Sequence, residues 1–165
     1  KQLLKHSGSS VNKDRQEKPH VHMVHFSPDK KYVFANDLGT DKIYIYSYHP
    51  NEDSKILVLK DVITTKEGSG PRHLAFNPNG IFFYVLGELD ASVSVYSWIH
   101  DKAVLIQEKS IAAKEPECKN GAADIHFSRD GKFLYATNRG DANTISVFKS
   151  HANGTLNFVD RKSVV

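Results

Sequence analysis

Cysteine is nearly absent from this 165-residue chain: Cys118 stands alone, so no disulfide can form within it. A lone thiol suits a reducing compartment and leads us to expect a cytoplasmic protein. Long apolar runs are missing too. None approaches the roughly 20 residues that a membrane helix needs, so no membrane span is expected. Lys1–Ser10 lacks the apolar centre of a signal peptide. Excess charge of one sign is also lacking. The net charge is +3 with signs interspersed, and no basic stripe is interleaved with aromatics. That excludes a nucleic-acid footprint. Nothing here excludes a globular core, because 39% of the residues are hydrophobic and the length suits one domain.

What is present is a repeat. Met23 to Asp37, the copy that His73 to Gly80 begins, and Asp124 to Asn138 share a strand, a turn and a second strand. Phe26, Phe76 and Phe127 anchor the three copies, 50 and 51 residues apart. Each copy runs on into a third strand ending in an aromatic (Ile43–Tyr46, Val93–Tyr96, Ile145–Phe148). A more variable fourth strand follows (Ile56–Val62, Val104–Ile111, Leu156–Val159). Alternating β-branched and aromatic residues mark these strands, and Pro, Asn, Asp and Gly mark the turns.

Four short strands per period of about 50 point to an all-β chain, a β-propeller of four-stranded antiparallel blades. A β-sandwich with coincidental spacing is the alternative. The expected organisation is a single partial propeller: 1–19 as the outer strand and long loop of a preceding blade, then blades at 20–69, 70–119 and 120–165. Three blades leave two open sheet faces. The remaining blades of a longer chain, or another chain, are therefore expected to close the ring.

Polar residues gather where first strands begin and second strands end. A hairpin folds those two ends onto one rim. The rim set is His20, His22 and Asp37; Arg72, His73 and Glu88; and Asp124, Asn138, Arg139 and Asp141. Arginine grips carboxylate or phosphate by a two-point fork, and histidine exchanges protons near neutrality. Each residue also has a structural reading. Arg72 and Glu88 can pair across their hairpin, Asp37 and Asp141 can cap turns, and Asp124 can accept backbone N–H groups. His25 and His126 lie within first strands and suit structural roles. His20 and His22 share one side of an extended segment, but no third metal ligand follows from spacing. No metal or cofactor is expected.

His20-Val21-His22, Asp37-Leu38-Gly39-Thr40-Asp41, Gly70-Pro71-Arg72-His73, Glu88-Leu89 and Asn138-Arg139-Gly140, in this order, resemble the lactonase family of seven-bladed propellers. That family includes bacterial 6-phosphogluconolactonases and fungal carboxy-muconate lactonizing enzymes. The loop containing Arg15 and Gln16 is similar to the family's long loop before His-x-His. The resemblance implies a catalytic set of His22, Arg72, Glu88 and Arg139, with Arg15, His20, Asp37, His73 and Asp141 binding substrate. It implies about three blades of an expected seven. It also implies hydrolysis of 6-phosphoglucono-δ-lactone, a step of the pentose phosphate pathway, with a small anionic sugar lactone or carboxylate as partner. The alternatives are a muconate-type cycloisomerase and a non-catalytic binding propeller. Two departures stand out: Gly87 replaces a common Asn before the Glu, and Arg129 replaces the Pro of a Ser-Pro-Asp-Gly turn.

Overall fold

In a computed structural model, described over residues 1–113 and 118–163, the chain divides into two compact units, Lys1–Pro71 and Arg72–Val165. The described residues form three four-stranded antiparallel sheets, each a meander in sequence order. The first is β1 (Val21–Phe26), β2 (Tyr32–Asp37), β3 (Lys42–Tyr48) and β4 (Leu57–Thr64). The second is β5 (Pro71–Phe76), β6 (Phe82–Gly87), β7 (Ser92–Ile99) and β8 (Lys102–Ser110). The third is β9 (Asn120–Phe127), β10 (Phe133–Gly140), β11 (Thr144–Ser150) and β12 (Leu156–Ser163). This is the blade unit expected from the repeat.

One turn device recurs between the first and second strands of each sheet. The side chains of Ser27, Asn77 and Ser128 accept the backbone N–H of Tyr32, Phe82 and Phe133, at 3.0, 3.1 and 3.0 Å. Gly80 and Gly131 take the positive φ that this turn needs, at 77° and 70°, whereas Lys30 takes it at 59°. A residue with a Cβ is strained there by about 1–2 kcal/mol. Arg129 sits in the third of these turns without disturbing it, since Gly131 N–H still reaches the Ser128 carbonyl at 2.9 Å.

The third strands do not end at their aromatics, as the pattern suggested. They continue past Tyr46, Tyr96 and Phe148 to Tyr48, Ile99 and Ser150. At each aromatic the register against the fourth strand shifts: between Ile45 and Tyr46, Val95 and Tyr96, and Val147 and Phe148. The extra residue is on the fourth strand, where Lys60, Ile106 and Val159 are skipped in the register, so the third strand keeps pairing beyond its aromatic. Lys1–His6, expected to end an outer strand, join no ladder. The Gln2 side chain instead bonds both the N–H and the carbonyl of Leu57, at 2.9 and 2.7 Å. In the second unit Gln107 of β8 grips Leu156 in the same two-handed way.

In the second unit an apolar core is shared by its two sheets. Tyr84, Leu86, Val93 and Val95 pack with Ile125, Leu134, Ala136 and Phe148. The Tyr84 hydroxyl finds the Gly154 carbonyl at 2.8 Å, so the buried phenol leaves no polar atom unmet. The first unit is organised around a polar residue. Asp41 is buried, and its carboxylate accepts from Gln16 Nε2 (2.8 Å), Ser10 Oγ, and the Gly68 and Gly70 N–H groups (2.7 Å each). Two long loops, around residues 8–18 and 65–70, are thereby tied to one side chain. A buried charge tolerates this position because these donors, with Ser69 Oγ at 3.4 Å, replace its water.

Candidate active site

Within the second unit the repeat sets the site directly. Residues one period apart in sequence become lateral neighbours on adjacent sheets. Arg72 and Ala123, His73 and Asp124, and Glu88 and Arg139 are all such pairs, and all three meet. Arg72 Nε donates to Glu88 Oε2 at 2.7 Å, and Arg72 Nη1 donates to the Ala123 carbonyl. His73 Nδ1 lies 2.7 Å from Asp124 Oδ1. Arg139 Nη2 approaches Glu88 Oε2 at 3.4 Å, while its Nε donates to the Gly121 carbonyl at 3.1 Å.

The Glu88 carboxylate is thus clasped by two guanidinium groups of unlike exposure. Glu88 and Arg72 side chains are 5% and 14% exposed, and Arg139 is 54% exposed. Arg72 is the anchored cation and Arg139 the one that reaches solvent. Burial works to raise the Asp124 carboxyl. Hydrogen bonds from His73, the Ile125 N–H and His126 outweigh it and hold the group below the usual carboxylate range. Such an array presents positive charge beside an oriented imidazole, suited to an anion or a developing oxyanion.

In the first unit His22, His20 and Arg15 line a cleft of about 200 Å³ with Asp14, Glu17 and Leu38. His20 Nε2 lies 3.1 Å from both Glu17 oxygens, and that hydrogen bond lowers the Glu17 carboxyl. Asp37 is corrected by the structure. Expected to touch substrate, it is fully buried and its carboxylate is spent inside the fold. It accepts from the His20 N–H (2.8 Å) and the Gly39 N–H (3.1 Å), and pairs with His6 Nδ1 (2.7 Å). The turn after β2 needs those acceptor oxygens, which is the capping role that Asp beside Gly also allowed. In the second unit, Asp141 is engaged outside the Arg–Glu cluster. It accepts from the Lys119 N–H at 3.1 Å and borders a separate cleft with Cys118, Thr144 and Arg161. Asn138 is buried and bonds Asn120 Oδ1 and the Ile111 carbonyl, at 2.6 and 3.1 Å, which gives it a bracing role.

Two groupings were missed from the sequence. His6 carried no pattern, yet its ring is stacked on Tyr44 at 3.6 Å and bonds the Tyr46 hydroxyl at 2.9 Å. The His73–Asp124 pair did carry a signal, because both occupy the same position in successive repeats. Among the described residues, no group of three His, Cys, Asp or Glu side chains is placed to hold a metal ion. No helix among them is long and apolar enough to cross a membrane.

A family model described as "Lactonase, 7-bladed beta-propeller" matches residues 1–165. A 6-phosphogluconolactonase of Formosa agariphila is 35% identical over 156 residues, covering 93% of this chain and 44% of that relative. The crystal structure of a protein from Bacteroides fragilis superposes with a TM-score of 0.91 at 36% identity, covering 98% of this chain and 46% of its own. The structure of a periplasmic gluconolactonase from Pseudomonas aeruginosa gives 0.87 at 37% identity, with 96% and 45% covered. The chain spans about half the length of the relatives it matches.

Proposed function

The chain belongs to the lactonase family of seven-bladed β-propellers, and from that membership we propose that the complete protein hydrolyses a sugar lactone, 6-phosphoglucono-δ-lactone, to 6-phosphogluconate. The observation that supports it most is the Arg72–Glu88–Arg139 clasp. Arg139, the exposed cation, is the group fitted to the substrate's phosphate. Arg72, held by Glu88 and the Ala123 carbonyl, is fitted to the oxyanion that forms on the lactone carbonyl. Water oxygen adds to that carbonyl carbon, the ring C–O bond breaks, and the released ring oxygen takes a proton. We assign removal of the water proton to a general base of the complete protein. Glu88, engaged by two guanidinium groups, is better fitted to orienting them than to accepting a proton.

The relatives named as 6-phosphogluconolactonase and as gluconolactonase support lactone hydrolysis. The phosphorylated substrate is this proposal's own step. A second reading draws on the tight Arg72–Glu88 pair: a propeller that binds without turning over. We place the protein in the cytoplasm on its lone Cys118. Since a periplasmic gluconolactonase is among the similar structures, cell fractionation tests that compartment.

The functional test compares the complete protein with buffer alone on 6-phosphoglucono-δ-lactone, glucono-δ-lactone and carboxy-muconate. Enzymatic hydrolysis is expected on the phosphorylated lactone above its spontaneous rate. Arg139→Ala is expected to raise KM about tenfold, the loss of one charge-assisted contact of roughly 1.5 kcal/mol. A wild-type rate equal to buffer overturns the assignment and leaves the binding reading. Turnover of the muconate instead establishes the cycloisomerase alternative.

A further inference from the structure

We infer that His73, braced by Asp124, is a positioning residue that fixes the Arg72 guanidinium, and that protonating its imidazole releases it. The inference rests on the lactonase reading only for its activity readout.

The geometry fixes the proton. Arg72 Nη1 lies 3.2 Å from His73 Nε2. A guanidinium nitrogen only donates, so Nε2 must be the acceptor. The ring proton is then on Nδ1, which faces Asp124 Oδ1 at 2.7 Å. One direction of donation runs through the cluster: His73 Nδ1–H to Asp124, Arg72 Nη1–H to His73, and Arg72 Nε–H to Glu88. The imidazole is thus a third acceptor, beside Glu88 and the Ala123 carbonyl, that fixes the Arg72 fork. A proton added at Nε2 turns that acceptor into a donor and sets two cations against each other.

Charged groups of both signs stand around this ring. On its own strand, β5, stands Arg72. From β9 come Asp124 and, on the other Asp124 oxygen at 3.0 Å, the exposed His126. Glu88, at the end of β6, and Arg139, on β10, act on Arg72 from its far side. Only Arg72 must move when the proton arrives, because Asp124 keeps its bond to Nδ1. The sheets supply the arrangement without a special loop, since each partner lies one repeat from the other.

The complete protein, labelled with ¹⁵N in its imidazoles, tests this. The His73 resonances are assigned by their loss in His73→Gln. The expected tautomer at alkaline pH carries hydrogen on Nδ1, the minor form of a free imidazole. Finding it on Nε2 overturns the inference, whatever the protein hydrolyses. For activity, His73→Leu is expected to lower kcat/KM by roughly tenfold to a hundredfold, the range for a misplaced reacting group. His73→Gln can accept from Arg72 and donate to Asp124, so it is expected to keep kcat within about threefold. It should also lose any acid limb of the rate profile that protonation at Nε2 causes, since an amide takes up no proton there. An unchanged acid limb in His73→Gln, or full activity in His73→Leu, refutes the positioning role. An inactive wild type refutes the lactonase reading alone, and the tautomer measurement then decides the rest.

Discussion

The unequal exposure of the two arginines around Glu88 gives a sharp energetic expectation. Consider Glu88→Gln alone and combined with Arg72→Met or Arg139→Met in double-mutant cycles. Arg72 Nε lies 2.7 Å from Glu88 Oε2, and unit charges about 4 Å apart at an effective dielectric of about 20 attract by roughly 4 kcal/mol. Truncating one partner of a buried pair typically costs about 3–5 kcal/mol. Arg72 keeps the Ala123 carbonyl and His73 as acceptors when Glu88 is lost, which places the expected coupling near the low end, about 3 kcal/mol. Arg139 approaches the same oxygen at 3.4 Å but is 54% exposed. Water screens it, and exposed pairs are worth about 0.2–1 kcal/mol. Urea denaturation of the complete protein measures both couplings. If Arg139 couples to Glu88 as strongly as Arg72 does, or if the Arg72 coupling falls below about 1 kcal/mol, the ranking by burial is wrong.

Two further perturbations test other parts of the fold. A Cβ at Gly39 would lie 1.9 Å from the Lys18 carbonyl oxygen and 2.8 Å from the His20 nitrogen. Neither is a flexible side-chain end, so Gly39→Ala is expected to cost about 3 kcal/mol, the upper end for overpacking. It should also weaken exchange protection of the His20 amide, which donates to Asp37; wild-type protection would refute the close packing. The Ser128 hydroxyl first, then the Lys132 N–H, holds the Asp130 carboxyl down to about 2. Its depressed value means a contribution fully present above the unfolded carboxylate value of about 3.9 and lost as pH falls through about 2. Ser128→Ala is expected to move the NMR titration of Asp130 upward, and an unmoved midpoint would show that the hydroxyl is not the cause.

The match between pattern and structure follows from what each repeat contains. Phe26, Phe76 and Phe127 mark first strands because alternation and turn chemistry act over a few residues. The Ser27, Asn77 and Ser128 turns need only a side-chain acceptor five residues before the strand N–H that they cap. Arg72 and Glu88 were legible as a pair because a hairpin of this length leaves no other place for its two ends. The ends of the third strands were misread because a bulge on the neighbouring strand changes the backbone's partners without changing the residues' propensities.

The amino-acid order alone determined the strand content, the four-strand period and which residues recur at strand ends, because these depend on neighbours a few bonds away. It also determined that Glu88 and Arg139 hold one position in successive repeats. Only tertiary structure decided which of the rim residues stay open. Asp37 and Arg139 look equally available in sequence, yet Asp37 is buried by His6 and the His20 segment, whereas Arg139 keeps half its surface. Burial depends on partners brought together from distant points of the chain, and no local pattern records which partner arrives.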